Sequence, residues 1–105
     1  MEKRWVGYYI KGTFKASMTL NLVWHDQEKR ISGLGQDVAG QYSWSGCFDR
    51  KGNVTMAKTY TNGTAVHFTG KLKGKEMKGS WNIGNFYCGT FYICQAKAKP
   101  RSLIA

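Results

Sequence analysis

The chain has 105 residues, with 16 Lys and Arg against 6 Asp and Glu, and carries a formal charge of +10. That length suits one domain, able to bury roughly two-thirds of its unfolded surface without a metal or disulfide staple, and the charge favours acidic partners through its long-range field. Cys47, Cys88 and Cys94 form an odd set with no CxxC spacing, so neither a disulfide framework nor a zinc cage is signalled.

The first residues, MEKRWVGYYIKG, hold no apolar run of signal-peptide length, and no window reaches the length of a membrane span. A reducing cytoplasm with no membrane partner is the expected setting. Apolar residues do not recur with a helical period; they alternate with period two in segments that return every ten to fourteen residues. Strands are expected over roughly residues 4–11, 16–25, 30–37, 40–49, 53–60, 64–73, 76–83 and 89–96, with ends good to about two to four residues.

The second strand sets the pattern. Met18, Leu20, Leu22 and Trp24 share one face, while Ser17, Thr19 and Asn21 share the other. The apolar face continues through Ile31, Gly33 and Gly35 of the third strand, Tyr42, Trp44 and Gly46 of the fourth, and Val54 and Met56 of the fifth. It then runs through Val66, Phe68, Gly70 and Leu72, through Met77, Gly79, Trp81 and Ile83, and ends with Phe91 and Ile93.

Loop lengths test this assignment, because the parity of a hairpin loop decides which residues of its strands share a face. Asp37 and Gly40 need an even loop, and Val38-Ala39 supplies it. Phe48 and Val54 need an odd one, and Arg50-Lys51-Gly52 places glycine where a left-handed residue is wanted. Thr61-Asn62-Gly63 repeats that device, and Gly74-Lys75 fits a two-residue turn between Leu72 and Met77. Asn53-Val54-Thr55 and Asn62-Gly63-Thr64 match the glycosylation pattern but read as turn residues in a chain with no secretory signal.

In the stretch ISGLGQDVAGQYSWSG, the glycines do not form a phosphate loop. The spacing from Gly33 to Val38 breaks GxGxxG at its last position, and neither a Walker lysine nor a helix follows. The registers instead put Gly35 across from Tyr42, Gly33 across from Trp44 and Gly46 across from Met56. Inward glycines beside large side chains let rings lie on bare backbone and let strands coil. The fold class is therefore all-β, a single eight-stranded antiparallel up-and-down barrel with little or no helix, over residues 1–96. Residues 97–105 are expected to be a basic, flexible tail.

Trp5-Val6-Gly7-Tyr8, the punctuation of strands by glycine and aromatic residues, and the hairpin order together resemble the calycin type of barrel, lipocalin-like or avidin-like. The resemblance spans residues 4–96 as a pattern. It implies a lumen that takes a small molecule, with no site residue carried over.

Along the fifth strand the inward face reads Val54, Met56, Lys58, Tyr60, and lysine is the intruder. A mid-barrel ammonium is costly unless it is paired or neutralised. Asp37 can pair with it if the lysine stem reaches diagonally; Tyr42 and Tyr60 offer hydroxyls, and Trp44 and Trp81 offer ring faces. Lys58 reads as an ammonium that snorkels to an open rim or forms a structural buried pair, or as the group that meets the anionic or carbonyl end of a ligand. In the last case the ligand's apolar part lies against Trp44, Met56, Phe68 and Trp81, and Lys58→Met is expected to stabilise the empty barrel while removing binding.

No catalytic, metal or cofactor set is expected. His25 and His67 lack nucleophile partners, Cys47 and Cys94 face outward, Cys88 falls in a Gly84 to Gly89 loop, and Glu2, Asp26, Glu28, Asp49 and Glu76 sit at turns or the terminus. The functional expectation is a small-molecule-binding module. One alternative is a basic single-stranded nucleic-acid binder using Tyr92, Tyr8 and the turn lysines; another is an interaction barrel, such as a homodimer, using outward Val23, Tyr92 and Ala96.

Overall fold

A computed structural model describes residues 2–96 and shows a closed antiparallel barrel whose eight strands neighbour one another in chain order. The strands are β1 (Glu2–Lys11), β2 (Phe14–His25), β3 (Arg30–Asp37), β4 (Gly40–Phe48), β5 (Asn53–Tyr60), β6 (Ala65–Lys73), β7 (Glu76–Ile83) and β8 (Tyr87–Gln95). The proposed basic tail, 97–105, lies outside the described residues.

The registers follow from the turns. Asp37 pairs with Gly40 and Lys73 with Glu76, so both loops hold two residues, while Phe48 pairs with Val54 across a longer one. Gly40, Gly52, Gly63 and Gly74 all have positive φ, the conformation that a side chain resists. Closure is made by β1 against β8, from Trp5–Gln95 to Ile10–Thr90.

Three strands begin two residues earlier than alternation suggests. β1 starts at Glu2, and β2 at Phe14 because Gly12, at φ 60°, turns the chain so tightly that Lys11 pairs with Phe14. β8 starts at Tyr87, so the preceding loop is only Gly84-Asn85-Phe86 and Cys88 is a strand residue, correcting its placement in a loop.

The barrel has two unlike ends. The turns after β2, β4 and β6 lie with Glu2 at the closed end, where Trp24 meets Trp5 at 5.8 Å and Phe48 at 5.0 Å between ring centroids. Leu20, Leu22, Ile31, Val54, Met56, Met77 and Ile93 are sealed from solvent. Fully removing such side chains from water contributes about 1.5–3 kcal/mol each. The turns after β1, β3, β5 and β7 ring the other end, which is open.

Candidate functional site

The open half of the barrel contains a cavity of about 860 Å³. Tyr9 of β1, Met18 of β2, Tyr42 and Trp44 of β4, Lys58 and Tyr60 of β5, Val66 and Phe68 of β6, Trp81 and Ile83 of β7 and Tyr87 of β8 line it, with Asp37 at its lip. Seven of the eight expected ligand-contacting residues, Asp37, Tyr42, Trp44, Lys58, Tyr60, Phe68 and Trp81, are in this lining. Met56 is not; it lies in the sealed core, 1 % exposed, across from Phe68 and Gly46.

Glycine opposite a ring is what keeps this half open. A side chain at Gly35 would collide with the Tyr42 ring, and one at Gly89 with the Ile10 carbonyl and the Trp81 indole. The rings therefore lie along the wall instead of pointing down the axis. Trp81 crosses bare backbone to donate its Nε1 hydrogen to the Ile10 carbonyl at 3.1 Å. The aromatic wall continues from Tyr42 to Trp44 at 6.2 Å, from Trp44 to Phe68 at 5.2 Å and from Tyr9 to Trp81 at 5.8 Å.

Three polar groups converge within this wall. Lys58, opposite Trp44 on β4, reaches diagonally past Tyr42 to Asp37 on β3, and its Nζ donates to Oδ2 at 3.0 Å. The Tyr60 hydroxyl donates to the same oxygen at 2.6 Å, and the Ala39 amide donates to Oδ1 at 2.8 Å. Asp37 thus caps the β3–β4 turn and anchors the cluster. The lysine stem carries its ammonium toward the mouth, one of the readings its inward position allows: its side chain is 18 % exposed and that of its partner Asp37 35 % exposed.

Burial pushes the Asp37 carboxyl up, but the Tyr60 and Lys58 hydrogen bonds, the Ala39 amide and the lysine charge together hold it below the ordinary value of 3.8. Burial, joined by the Asp37 hydrogen bond and charge and by Tyr9, raises the Tyr60 hydroxyl well above its usual range. Tyr60 therefore stays a neutral donor. The Lys58 ammonium lies 4.2 Å from the centroid of Tyr42 and 5.0 Å from that of Tyr60, contacts that stabilise a cation over rings. One of its three donors goes to Asp37, which leaves capacity for an incoming acceptor. The Trp44 Nε1 hydrogen is buried with no acceptor among the described residues.

A side opening accompanies the mouth. β2 and β3 pair only at Val23–Ser32, Trp24–Ile31 and His25–Arg30. Beyond that ladder, Ser17 and Thr19 of β2 and Gln36 of β3, all on outward parity, join the cavity lining.

Residue patterning alone missed Tyr9, Met18, Val66, Ile83 and Tyr87 as cavity residues. For Met18, Val66 and Ile83 the inward parity was legible, and only their height in the barrel was not. Tyr9 shares the parity of Trp5 and Gly7 on β1, but Tyr8 beside it is equally aromatic and points outward, 5.7 Å from Tyr92. The three cysteines are free thiols, and His25 bonds the Ser32 hydroxyl at 2.9 Å. Among the described residues no helix is long and apolar enough to cross a membrane.

No protein-family model matches the chain and no curated protein matches its sequence, so any assignment rests on this geometry.

Proposed function

We propose that the protein is a small-molecule-binding barrel whose ligand is apolar with an anionic or carbonyl end, bound in the open half of the lumen without turnover. The observation that carries the reading is the cavity of about 860 Å³, aromatic on its walls, with Lys58, Asp37 and Tyr60 converging at one place. That volume falls in the range of drug-sized ligand sites, which join apolar walls to a few placed polar groups. Because Asp37 already offsets the lysine charge, a carbonyl oxygen suits the cluster better than a second carboxylate beside Asp37.

Native mass spectrometry of the purified protein tests this reading. A small added mass is expected, and the compound recovered should quench the fluorescence of Trp44 and Trp81 on titration. Lys58→Met should weaken that binding about tenfold or more, the value of a charge-assisted hydrogen bond. A barrel that carries no small molecule and whose fluorescence responds to no apolar carbonyl compound overturns the proposal, as does undiminished binding by Lys58→Met.

One exterior feature favours the nucleic-acid reading as a second possibility. Lys78 pairs with Tyr92, Tyr92 with Tyr8, and the Lys15 ammonium stands 4.0 Å from the Tyr8 ring centroid, an outward basic and aromatic row. Oligonucleotide in the mass spectrum, with affinity falling steeply in salt, would favour it.

A further inference from the structure

We propose that the open end of the barrel docks on an anionic lipid bilayer. Phe14 after the first turn, Val38 in the β3–β4 turn, and Phe86 and Tyr87 at the β7–β8 turn all stand in solvent at this end. Phe86 is 90 % exposed and Val38 fully exposed. Leu34, outward on β3, is the other large apolar side chain exposed among the described residues. Isolated exposed apolar residues are ordinary, but a set gathered at the rim of a cavity is not.

The arrangement selects the partner. The side chains stand at three of the four turns around the mouth, so they are separate prongs set apart by the opening of the cavity. A protein would need a pocket for each prong, whereas the interfacial zone of a bilayer takes apolar and amphipathic side chains wherever they stand.

Charge points the same way. Lys11 lies 4.5 Å from the Tyr87 ring centroid and Lys15 4.0 Å from that of Tyr8, both beside the prongs. The carboxylate at this end, Asp37, is offset by Lys58 at 3.0 Å, while Glu2, Asp26, Glu28, Asp49 and Glu76 all sit at the closed end. A lysine near an anionic surface favours binding roughly fivefold. The closed end carries more basic residues, but no exposed large apolar side chain stands there among the described residues. Its attraction would be purely ionic. The residue pattern offered no membrane partner because it offered no span; docking on the surface needs none. The inference goes beyond the lumen reading and holds whatever the lumen binds.

Co-sedimentation of the full chain with vesicles tests it, one set of phosphatidylcholine alone and one of phosphatidylcholine with an equal part of phosphatidylglycerol, at moderate salt. Wild type should pellet with the anionic set only. A triple variant, Phe14→Ser, Val38→Ser and Phe86→Ser, should bind at least about tenfold more weakly while keeping the circular dichroism and thermal midpoint of wild type, because these side chains pack little. Lys11→Gln with Lys15→Gln should weaken binding further.

Absence of wild-type binding, equal binding to both vesicle sets, or a triple variant that binds as wild type does would each overturn the proposal. The last result would mean that closed-end lysines hold the vesicle. Wild type that dimerises in analytical ultracentrifugation while the triple variant is a monomer would also overturn it, naming a second copy of this chain as the partner.

Discussion

The closed half and the open half of the barrel obey the same inward alternation and reach opposite results. Toward the closed end the inward positions are the aliphatic Leu22, Val54, Met77 and Ile93, sealed from solvent, beside the mutually packed rings of Trp5, Trp24 and Phe48. Toward the open end they are rings and glycines in register, Tyr42 against Gly35 and Trp81 against Gly89. Each ring lies on its glycine and lines the wall. A barrel of eight strands is just wide enough to be filled or to hold one small ligand, and here side-chain shape decides which, half by half.

The contrast is broken most severely at the closed end. Met77, with no exposure, should cost about 2–5 kcal/mol when changed to Ala, through lost burial and the void left behind. Val66→Ala on the cavity wall should cost about 1 kcal/mol or less, since it borders space already open. Urea unfolding of the two variants measures the difference directly. Equal losses would mean that the open half is packed like the closed one.

The next largest effect tests the glycines. Gly89→Ala places a methyl group against the Ile10 carbonyl and the Trp81 indole, so the sheet must shift and the Trp81 hydrogen bond stretch. Overpacking of this kind typically costs about 1–3 kcal/mol. The same variant should blue-shift or red-shift the Trp81 emission and weaken ligand uptake together. A change in stability with no change in either would confine Gly89 to strand geometry.

Much of this contrast was legible in the residues. The registers, the glycine-ring pairs and the diagonal reach of Lys58 to Asp37 follow from alternation and loop parity, because a one-residue slip would turn every inward side chain to water. The side opening was not legible. Where the β2–β3 ladder stops depends on how the strands diverge as the sheet coils, and Ser17, Thr19 and Gln36 read simply as outward polar residues. The rim was hidden for another reason: Val38 and Phe86 occupy turns and Phe14 opens β2 beside one, where alternation says nothing about height or exposure. The height of Met56 in the lumen was misjudged on the same ground, since parity gives the face and not the depth.

The smallest effect concerns the Lys58–Asp37 pair and separates a structural ion pair from a site held ready for a ligand. The Asp37 folded-state value lies below the ordinary 3.8, so its contribution is complete above that value and is lost as pH falls through the lower one. Partial exposure screens it, which limits the contribution to about 1 kcal/mol. The stability difference between wild type and Asp37→Asn should therefore be constant from neutral pH to about pH 5 and shrink below about pH 4; taking the difference removes the parallel acid sensitivity of Asp49, also held low by Asn53. Lys58→Met should change stability still less, because Asp37 retains the Tyr60 and Ala39 donors and the ammonium it replaces is already paired near the mouth. The gain expected for removing a stranded mid-barrel charge is thus reduced to a few tenths of a kcal/mol. A loss above about 2 kcal/mol in Lys58→Met would show that the pair holds β3 to β5, and would move the cluster from binding to architecture.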